Sequence, residues 1–178
     1  MKYTELPTTG AYIVFVRSKG ILARAINLGM SLFQVLRLKQ YPEKNFNHTA
    51  FLVNGWVTEA LGRGITTRSI KEVYGGKNKE LKVFKVSDKR EGLINLRNYV
   101  QKESDKKYDF INFWNHAVRI FTGKWNGKTK DDAKGRLYCI EFCANGLNEI
   151  YGNFIDEAWK INPYEMLQIC DHNFDEMI

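Results

Sequence analysis

Residues 48–60 read His48-Thr49-Ala50-Phe51-Leu52-Val53-Asn54-Gly55-Trp56-Val57-Thr58-Glu59-Ala60. Two β-rich runs flank the dipeptide Asn54-Gly55, the strongest short signal for a β-hairpin, because a type I′ turn needs a positive φ angle at both central positions. With these two residues as the loop, Val53 faces Trp56. The stretch therefore predicts a hairpin whose register can be counted outward from the turn.

A histidine and a glutamate meet in this register. Ala50 faces Glu59, and His48 projects on the same face because it lies two residues before Ala50. His48 and Glu59 are then diagonal neighbours about 7–8 Å apart at the backbone, a gap that two long polar side chains can bridge. A carboxylate in this place holds an imidazole in one tautomer and stabilises its cation. A strand-end histidine beside a solvent-facing glutamate is the competing interpretation.

Apolar residues recur at strand or helix spacing in several further segments. Strands are predicted at 10–16 and 80–87, and helices at 89–103, 110–121 and 139–151. Asn162-Pro163-Tyr164 indicates a turn or a helix start, and the polar, Gly-rich residues 122–136 predict a mobile loop that could cover a cleft. Because hairpins dominate the strands, we expect an α+β fold, as one domain over residues 1–178.

Residues 19–36 predict a helix with a narrow polar stripe. Arg24, Asn27, Ser31 and Gln34 form the stripe at intervals of three and four residues, and apolar residues fill the rest of the surface. Such a helix is either mostly buried or docked on a lipid surface or partner. We expect burial.

Cys139 is the candidate nucleophile. A core stripe with helical spacing follows it: Ile140, Cys143, Ala144, Leu147 and Tyr151. Cys143 is then a buried small hydrophobe. Cys139 falls in the first turn, where unpaired backbone N–H groups and the helix dipole favour a thiolate. An inert thiol is the alternative.

The remaining cysteine and histidines carry weaker signals. Cys170 has no such context, His116 is expected to make a local hydrogen bond or to face water, and His172 lies in an acidic tail. Their spacing matches no zinc site, so we expect no metal and no cofactor. An odd number of cysteines without an export signal also argues against a disulfide framework.

The charge of the chain is uneven. Residues 137–178 hold eight acidic residues and one lysine, a net charge of −7, whereas the rest of the chain carries +14. The lysines of 71–107 and 124–136 form either a solvated surface or a contact for an anionic polymer or a lipid surface. No nucleic-acid motif accompanies them, which argues against a specific nucleic-acid partner.

The sequence predicts neither a signal peptide nor a transmembrane helix. Residues 1–7 lack the charged, apolar and small-residue regions of a signal peptide, and no apolar run is long enough for a transmembrane helix. We expect a cytoplasmic protein, or one delivered to the cell wall by another route.

The order of these motifs resembles a known family. The pattern consists of the strand at 10–16, the helix around Leu22-Ala23-Arg24-Ala25-Ile26, Asn47-His48-Thr49-Ala50, Val57-Thr58-Glu59-Ala60, Tyr108-Asp109-Phe110 and Tyr138-Cys139-Ile140-Glu141-Phe142. It is similar to the circularly permuted papain-like cysteine hydrolases of the NlpC superfamily, especially the YiiX-like branch. The likeness covers about residues 8–167, and its specificity lies in order and spacing.

The resemblance implies an antiparallel sheet packed against helices, one of which bears the nucleophile. Cys139 would be the nucleophile, His48 the general base and Glu59 the orienting carboxylate. Asn47 and Ile140 stand where serine is common in the family, and the second change would alter the wall of the pocket. Tyr138, Ile140 and Asn47 are weaker candidates for contact with substrate or oxyanion, whereas Glu141 is expected to be structural.

The resemblance also implies acyl transfer through a thioester on Cys139. A peptide or another acyl compound would be the substrate, and our first choice is the amide bond of a cell-wall (peptidoglycan) peptide. Two alternatives stay open. One is a lipid-directed acyl hydrolase or acyltransferase of the same fold, and the other is a catalytically silent binding or structural protein.

Overall fold

The computed structural model describes residues 3–19, 21–39, 45–75, 79–125 and 135–177. The strands in these parts of the chain are β1 (Ala11–Arg17), β2 (His48–Val53), β3 (Trp56–Leu61), β4 (Gly64–Ser69), β5 (Glu80–Ser87), β6 (Lys107–Tyr108) and β7 (Arg136–Leu137). The helices are α1 (Ile21–Phe33), α2 (Ile70–Tyr74), α3 (Arg90–Glu103), α4 (Phe110–Thr122), α5 (Cys139–Tyr151) and α6 (Pro163–Asn173). A π-helical turn, Gln34–Leu38, continues α1.

Five strands form one antiparallel sheet in the order β4-β3-β2-β1-β5. β6 and β7 form a separate parallel pair, in which Tyr108 lies beside Leu137. The mixture of an antiparallel sheet with helices confirms the expected α+β class. None of the helices in the described residues is long and apolar enough to cross a bilayer.

The hairpin of β2 and β3 has the predicted turn. Val53 pairs with Trp56, and both loop residues have positive φ angles, 49° at Asn54 and 81° at Gly55. The side-chain oxygen of Asn54 accepts a hydrogen bond of 2.9 Å from the backbone N–H of Gly10, which ties the turn to the start of β1. Since the loop has two residues, the register of the whole hairpin follows from it.

The strand β4 was not predicted. It pairs with β3 through a second two-residue loop, with Leu61 opposite Gly64 and Val57 opposite Arg68. Its sequence is mostly polar, so it lacks the apolar alternation from which strands are usually read. The signal that the sequence did offer is the β-branched run Ile65-Thr66-Thr67 directly after a glycine-containing loop.

The two faces of the sheet are covered by different helices. α5 packs against β2 and β3 on one face and is in turn covered by α3 and α6, while α2 covers part of the other face. Eight residues in the first three turns of α5 are buried, so this helix lies in the main core. The core on this face includes Ile13, Phe15, Phe51, Phe84, Leu96, Phe142 and Leu147.

The helix predicted at 19–36 forms, but the expectation that it is mostly buried is wrong. Leu28 is 64% exposed, and Val35, Leu36 and Leu38 are also exposed. Gln34, by contrast, belongs to the polar stripe and is fully buried. The helix buries only part of its apolar surface, including Met30 and Phe33, because its polar stripe also faces inward and hydrogen-bonds the segment before β2.

Candidate active site

The contact predicted between the two strands of the hairpin is present. Nε2 of His48 lies 2.7 Å from Oε2 of Glu59. The Glu59 side chain is 5% exposed and the His48 side chain 19% exposed, so solvent screens the pair weakly. The register of a two-residue turn therefore suffices to bring these groups together.

Arg68 also contacts Glu59, and the sequence did not predict this contact. Its guanidinium hydrogen-bonds the other carboxylate oxygen of Glu59, from the neighbouring strand β4. Burial alone raises the pKa of Glu59, but the hydrogen bonds and positive charges of His48 and Arg68 outweigh burial and lower this pKa. Glu59 is therefore held as an anion with both oxygens engaged.

Cys139 is the first residue of α5, as predicted from the apolar spacing. The preceding residue, Tyr138, makes no side-chain cap hydrogen bond to the helix, and the first intrahelical bond runs from Phe142 N–H to the Tyr138 carbonyl. The backbone N–H groups of the first turn are thus left for another acceptor. One of them, that of Ile140, helps to lower the pKa of the Cys139 thiol.

The His48 ring lies close enough to Cys139 for each group to shift the pKa of the other. Because Glu59 occupies Nε2, the ring nitrogen left for the thiol is Nδ1. Burial raises the pKa of Cys139, but the His48 charge, the hydrogen bond from His48 and the backbone N–H groups of Thr49 and Ile140 outweigh it and lower this pKa. Burial lowers the pKa of His48, and the thiolate and Glu59 together raise it above its usual range. These opposite shifts favour a thiolate–imidazolium pair.

Thr49 connects the strand that carries His48 with the start of the helix that carries Cys139. Its hydroxyl donates a hydrogen bond of 3.0 Å to the carbonyl oxygen of Cys139, and it lies directly after His48 in β2. The side chain is fully buried. The start of α5 is thereby fixed against the strand that carries the histidine.

Tyr108 is a further site residue that the sequence reasoning quoted only as part of the motif order. It lies near the Cys139 sulfur because β6 pairs with β7, the strand just before α5. Burial first, and then the charge of Cys139 and hydrogen bonding with it, raise the pKa of Tyr108, so the phenol keeps its proton. No periodicity marks a two-residue strand, and the phenol could not be placed from sequence.

The side chains of the three weaker candidates are engaged within the protein. Asn47 uses its side chain on Ser18 and Asn27, and Tyr138 is buried with its hydroxyl hydrogen-bonded to the Ile161 carbonyl and to His116. The Ile140 side chain is 1% exposed, in the main core. Core packing and internal hydrogen bonds occupy the three side chains, and the role of these residues at the substrate or oxyanion stays a prediction. Ile140 contributes its backbone N–H and does not form a pocket wall.

The other titratable residues lie apart from this contact. Cys143 and Cys170 are buried free thiols, and burial raises the pKa of each. His116 is buried with Nε2 at 2.8 Å from the Tyr138 hydroxyl, and burial with the nearby Arg119 charge lowers its pKa to about 3. His172 is exposed and bonds the Gln168 carbonyl.

Two further expectations concern the region around the nucleophile. Glu141 is fully buried in the first turn of α5. In the loop 122–136, residues 126–134 lie outside the described residues, so the idea that it covers a cleft stays a prediction. No cluster of possible metal ligands is found among the residues that the structure describes.

The described groups supply what acyl transfer requires. A thiol with a lowered pKa lies at a helix start, an imidazole lies beside it, a carboxylate hydrogen-bonds the imidazole, and a phenol and backbone N–H groups lie near the sulfur. A scan against models of protein families finds none that matches this chain, and a search among curated proteins likewise finds no match.

Proposed function

We propose that this protein is a cysteine hydrolase that cleaves an amide bond, with a cell-wall peptide as the first choice of substrate. The observation that carries the proposal is the hydrogen bond between His48 and Glu59, with His48 also near enough to Cys139 to lower the pKa of the thiol. The chain order of histidine, acid and cysteine, with the cysteine at the start of a helix packed on an antiparallel sheet, supports a permuted papain-like fold of the NlpC type.

The reaction begins when His48 holds the proton of Cys139 and the sulfur attacks the amide carbonyl carbon. A C–S bond forms, and the carbonyl electrons move to the oxygen, which is stabilised by backbone N–H donors at the start of α5 and by the Tyr108 hydroxyl. The C–N bond then breaks, and His48 returns its proton to the leaving amine. Water attacks the thioester, gives a proton to His48 and releases the carboxylic acid, after which the thiol is restored.

Glu59 and Arg68 act through His48. Glu59 keeps Nε2 as the hydrogen-bonded nitrogen, so that Nδ1 faces the sulfur, and it stabilises the imidazolium that forms in each half-reaction. Arg68 holds Glu59 in its orientation from β4. Both are positioning residues in this scheme.

The test compares Cys139→Ala with Cys143→Ala, a matched control in the next turn of the same helix. We expect iodoacetamide to label Cys139 rapidly at neutral pH, because its lowered pKa increases the thiolate fraction. Labelling and cleavage of peptidoglycan fragments should vanish in Cys139→Ala and persist in Cys143→Ala. In His48→Ala the labelling rate at pH 7 should fall about tenfold for each unit by which the thiol pKa rises.

Three outcomes would contradict the proposal. Rapid, pH-dependent labelling that persists in Cys139→Ala would move the nucleophile to another residue. A thiol that titrates near pH 8.5 in wild type and in His48→Ala alike would favour the catalytically silent alternative. Labelling of Cys139 without turnover on peptide amides would remove the proposed substrate and keep the nucleophile.

A second candidate is an acyl hydrolase or acyltransferase that acts on lipids through the same thioester. The exposed apolar side chains of α1 favour it. Short-chain and long-chain acyl esters presented in micelles distinguish it from the first choice. Transfer of a radiolabelled acyl group to Cys139 from lipid, and none from peptide amides, would decide for the lipid substrate.

A further inference from the structure

The polar edge of α1 faces the protein. Nδ2 of Asn45 donates to the Ser31 hydroxyl at 3.0 Å, and Nε2 of the buried Gln34 donates to Oδ1 of Asn45 at 3.3 Å. Nδ2 of Asn47 donates to Oδ1 of Asn27 at 3.3 Å. These bonds fix the rotation of α1 about its axis, and Met30 and Phe33 of the same helix are buried against Tyr164.

This helical segment also exposes apolar side chains. We give the name α1 face to Leu28, Val35, Leu36 and Leu38, which are 64%, 46%, 52% and 39% exposed. Single exposed apolar residues are ordinary on protein surfaces, whereas a cluster of them marks a contact surface. Four such residues within eleven positions of one helical segment form a cluster.

The neighbouring helix α4 adds to the exposed apolar surface. Phe110, Ile111 and Val118 are 57%, 58% and 37% exposed. α4 packs against α1, and the Arg119 guanidinium lies 5.7 Å from the centre of the Phe33 ring. Seven of the ten large hydrophobic residues that are exposed in the described residues therefore belong to these two adjacent helices.

The segment that carries the α1 face is uniformly cationic. Residues 18–39 contain Lys19, Arg24, Arg37 and Lys39 and no acidic residue. A two-fold contact between copies of this chain would place these like charges against one another. An anionic polymer would pair with the charges but would leave the leucine side chains in water. An anionic lipid surface matches both the charge and the apolar side chains.

We propose that the α1 face docks on the surface of a bilayer that contains anionic phospholipids. The leucine and valine side chains enter the boundary between headgroups and acyl chains, and the flanking lysine and arginine side chains meet the phosphates. The same helix bonds Asn47, the residue before His48, so a docked α1 is linked to the candidate site through one side chain. The proposal concerns binding alone and stands whether or not the protein cleaves an amide.

The test measures co-sedimentation of the full chain with vesicles at low salt. One set of vesicles is phosphatidylcholine alone, and the other includes phosphatidylglycerol. We expect binding to the anionic vesicles that weakens as salt is added, and little binding to the neutral ones. The triple variant Leu28→Gln/Val35→Gln/Leu36→Gln should bind anionic vesicles at least tenfold more weakly.

The matched control is Trp56→Gln/Ile94→Gln, which removes two exposed apolar side chains from the hairpin and α3 and should bind within twofold of wild type. Circular dichroism checks that each variant is folded, and the single variants Leu28→Gln and Leu36→Gln replace the triple variant if it is not. Equal binding by wild type and the α1 variants, or no binding to anionic vesicles, would overturn the proposal. So would a lipid-free dimer, seen by light scattering, that the triple variant converts to a monomer.

Discussion

At the scale of single residues, the groups around the Cys139 sulfur determine the pKa of its thiol. The His48 ring and the backbone N–H groups of Thr49 and Ile140 lower its pKa, and the Tyr108 hydroxyl lies nearby. The first three favour the thiolate over the thiol, because hydrogen bonds and positive charge stabilise an anion. Their combined effect exceeds that of burial, which acts in the opposite direction.

Tyr108→Phe isolates one of these donors. The substitution removes the hydroxyl and keeps the ring, whose centre lies 4.8 Å from that of Phe110. We expect the pKa of Cys139 to rise, and the rate of amide cleavage to fall by about 10²-fold if the phenol also donates to the oxyanion. Alkylation rates against pH report the first effect, and kcat reports the second.

The control for this prediction is Tyr151→Phe, which removes a hydroxyl that bonds the Val86 carbonyl away from the site. It should leave both measurements unchanged. An alkylation profile for Tyr108→Phe that overlays the wild-type profile would show that the phenol does not stabilise the thiolate.

At the scale of elements, the site depends on how closely α5 lies against the sheet. Gly146, two turns after Cys139, faces the Phe51 ring of β2, and a Cβ atom there would lie 2.7 Å from Cζ of that ring. A side chain at this position therefore separates the helix from the strand. Because Thr49 and His48 belong to the same strand, a shift here changes the geometry at the thiol.

Gly146→Ala should accordingly lower both stability and activity. Overpacking of a tight core contact costs about 1–3 kcal/mol, and a small displacement of a catalytic group reduces the rate further. Urea unfolding measures the first effect and kcat the second. Gly135→Ala is the control, because nothing lies within 4 Å of the Cβ it would add. If Gly146→Ala unfolds at the same urea concentration as wild type, α5 and β2 can separate without cost and the prediction is wrong.

At the scale of the whole molecule, the buried Glu59 links the stability of the fold to pH. Its pKa is lower in the folded chain than its ordinary value of 4.5, because His48 and Arg68 stabilise the anion. A carboxyl group with a depressed pKa stabilises the fold above its unfolded pKa, and the contribution is lost as pH falls through the folded pKa. The free energy of unfolding should therefore decrease at acidic pH as Glu59 takes up a proton.

Glu59→Gln should lower the free energy of unfolding by about 2 kcal/mol at pH 7, the scale of hydrogen bonds to a charged group. The difference in the free energy of unfolding between wild type and Glu59→Gln should become smaller below pH 4.5, because wild type loses its anion while glutamine does not titrate. Urea midpoints between pH 7 and pH 3 measure this. Glu91→Gln controls for the loss of an exposed carboxylate, and a gap that stays constant with pH would contradict the linkage.

Short-range rules were enough to predict several of these features. A two-residue turn whose loop is Asn54-Gly55 leaves one register, and this register alone placed His48 beside Glu59. Apolar spacing placed Cys139 at the first position of α5, and the capping pair Asn162 and Glu165 starts α6 where Asn-Pro indicated a helix start. These elements follow from residues that lie within one turn or one hairpin of each other.

Contacts between distant segments could not be obtained in this way. Arg68 reaches Glu59 from a polar strand with no apolar alternation, and Tyr108 reaches Cys139 through a two-residue parallel pairing between segments 29 residues apart. The orientation of α1 also depends on its hydrogen bonds with Asn45 and Asn47, in addition to the packing of Met30 and Phe33. Local chemistry determined the strands, the helices and two of the site residues. Long-range pairing determined which groups surround the sulfur and which face of α1 meets solvent, because such contacts depend on the whole packing and not on neighbouring residues.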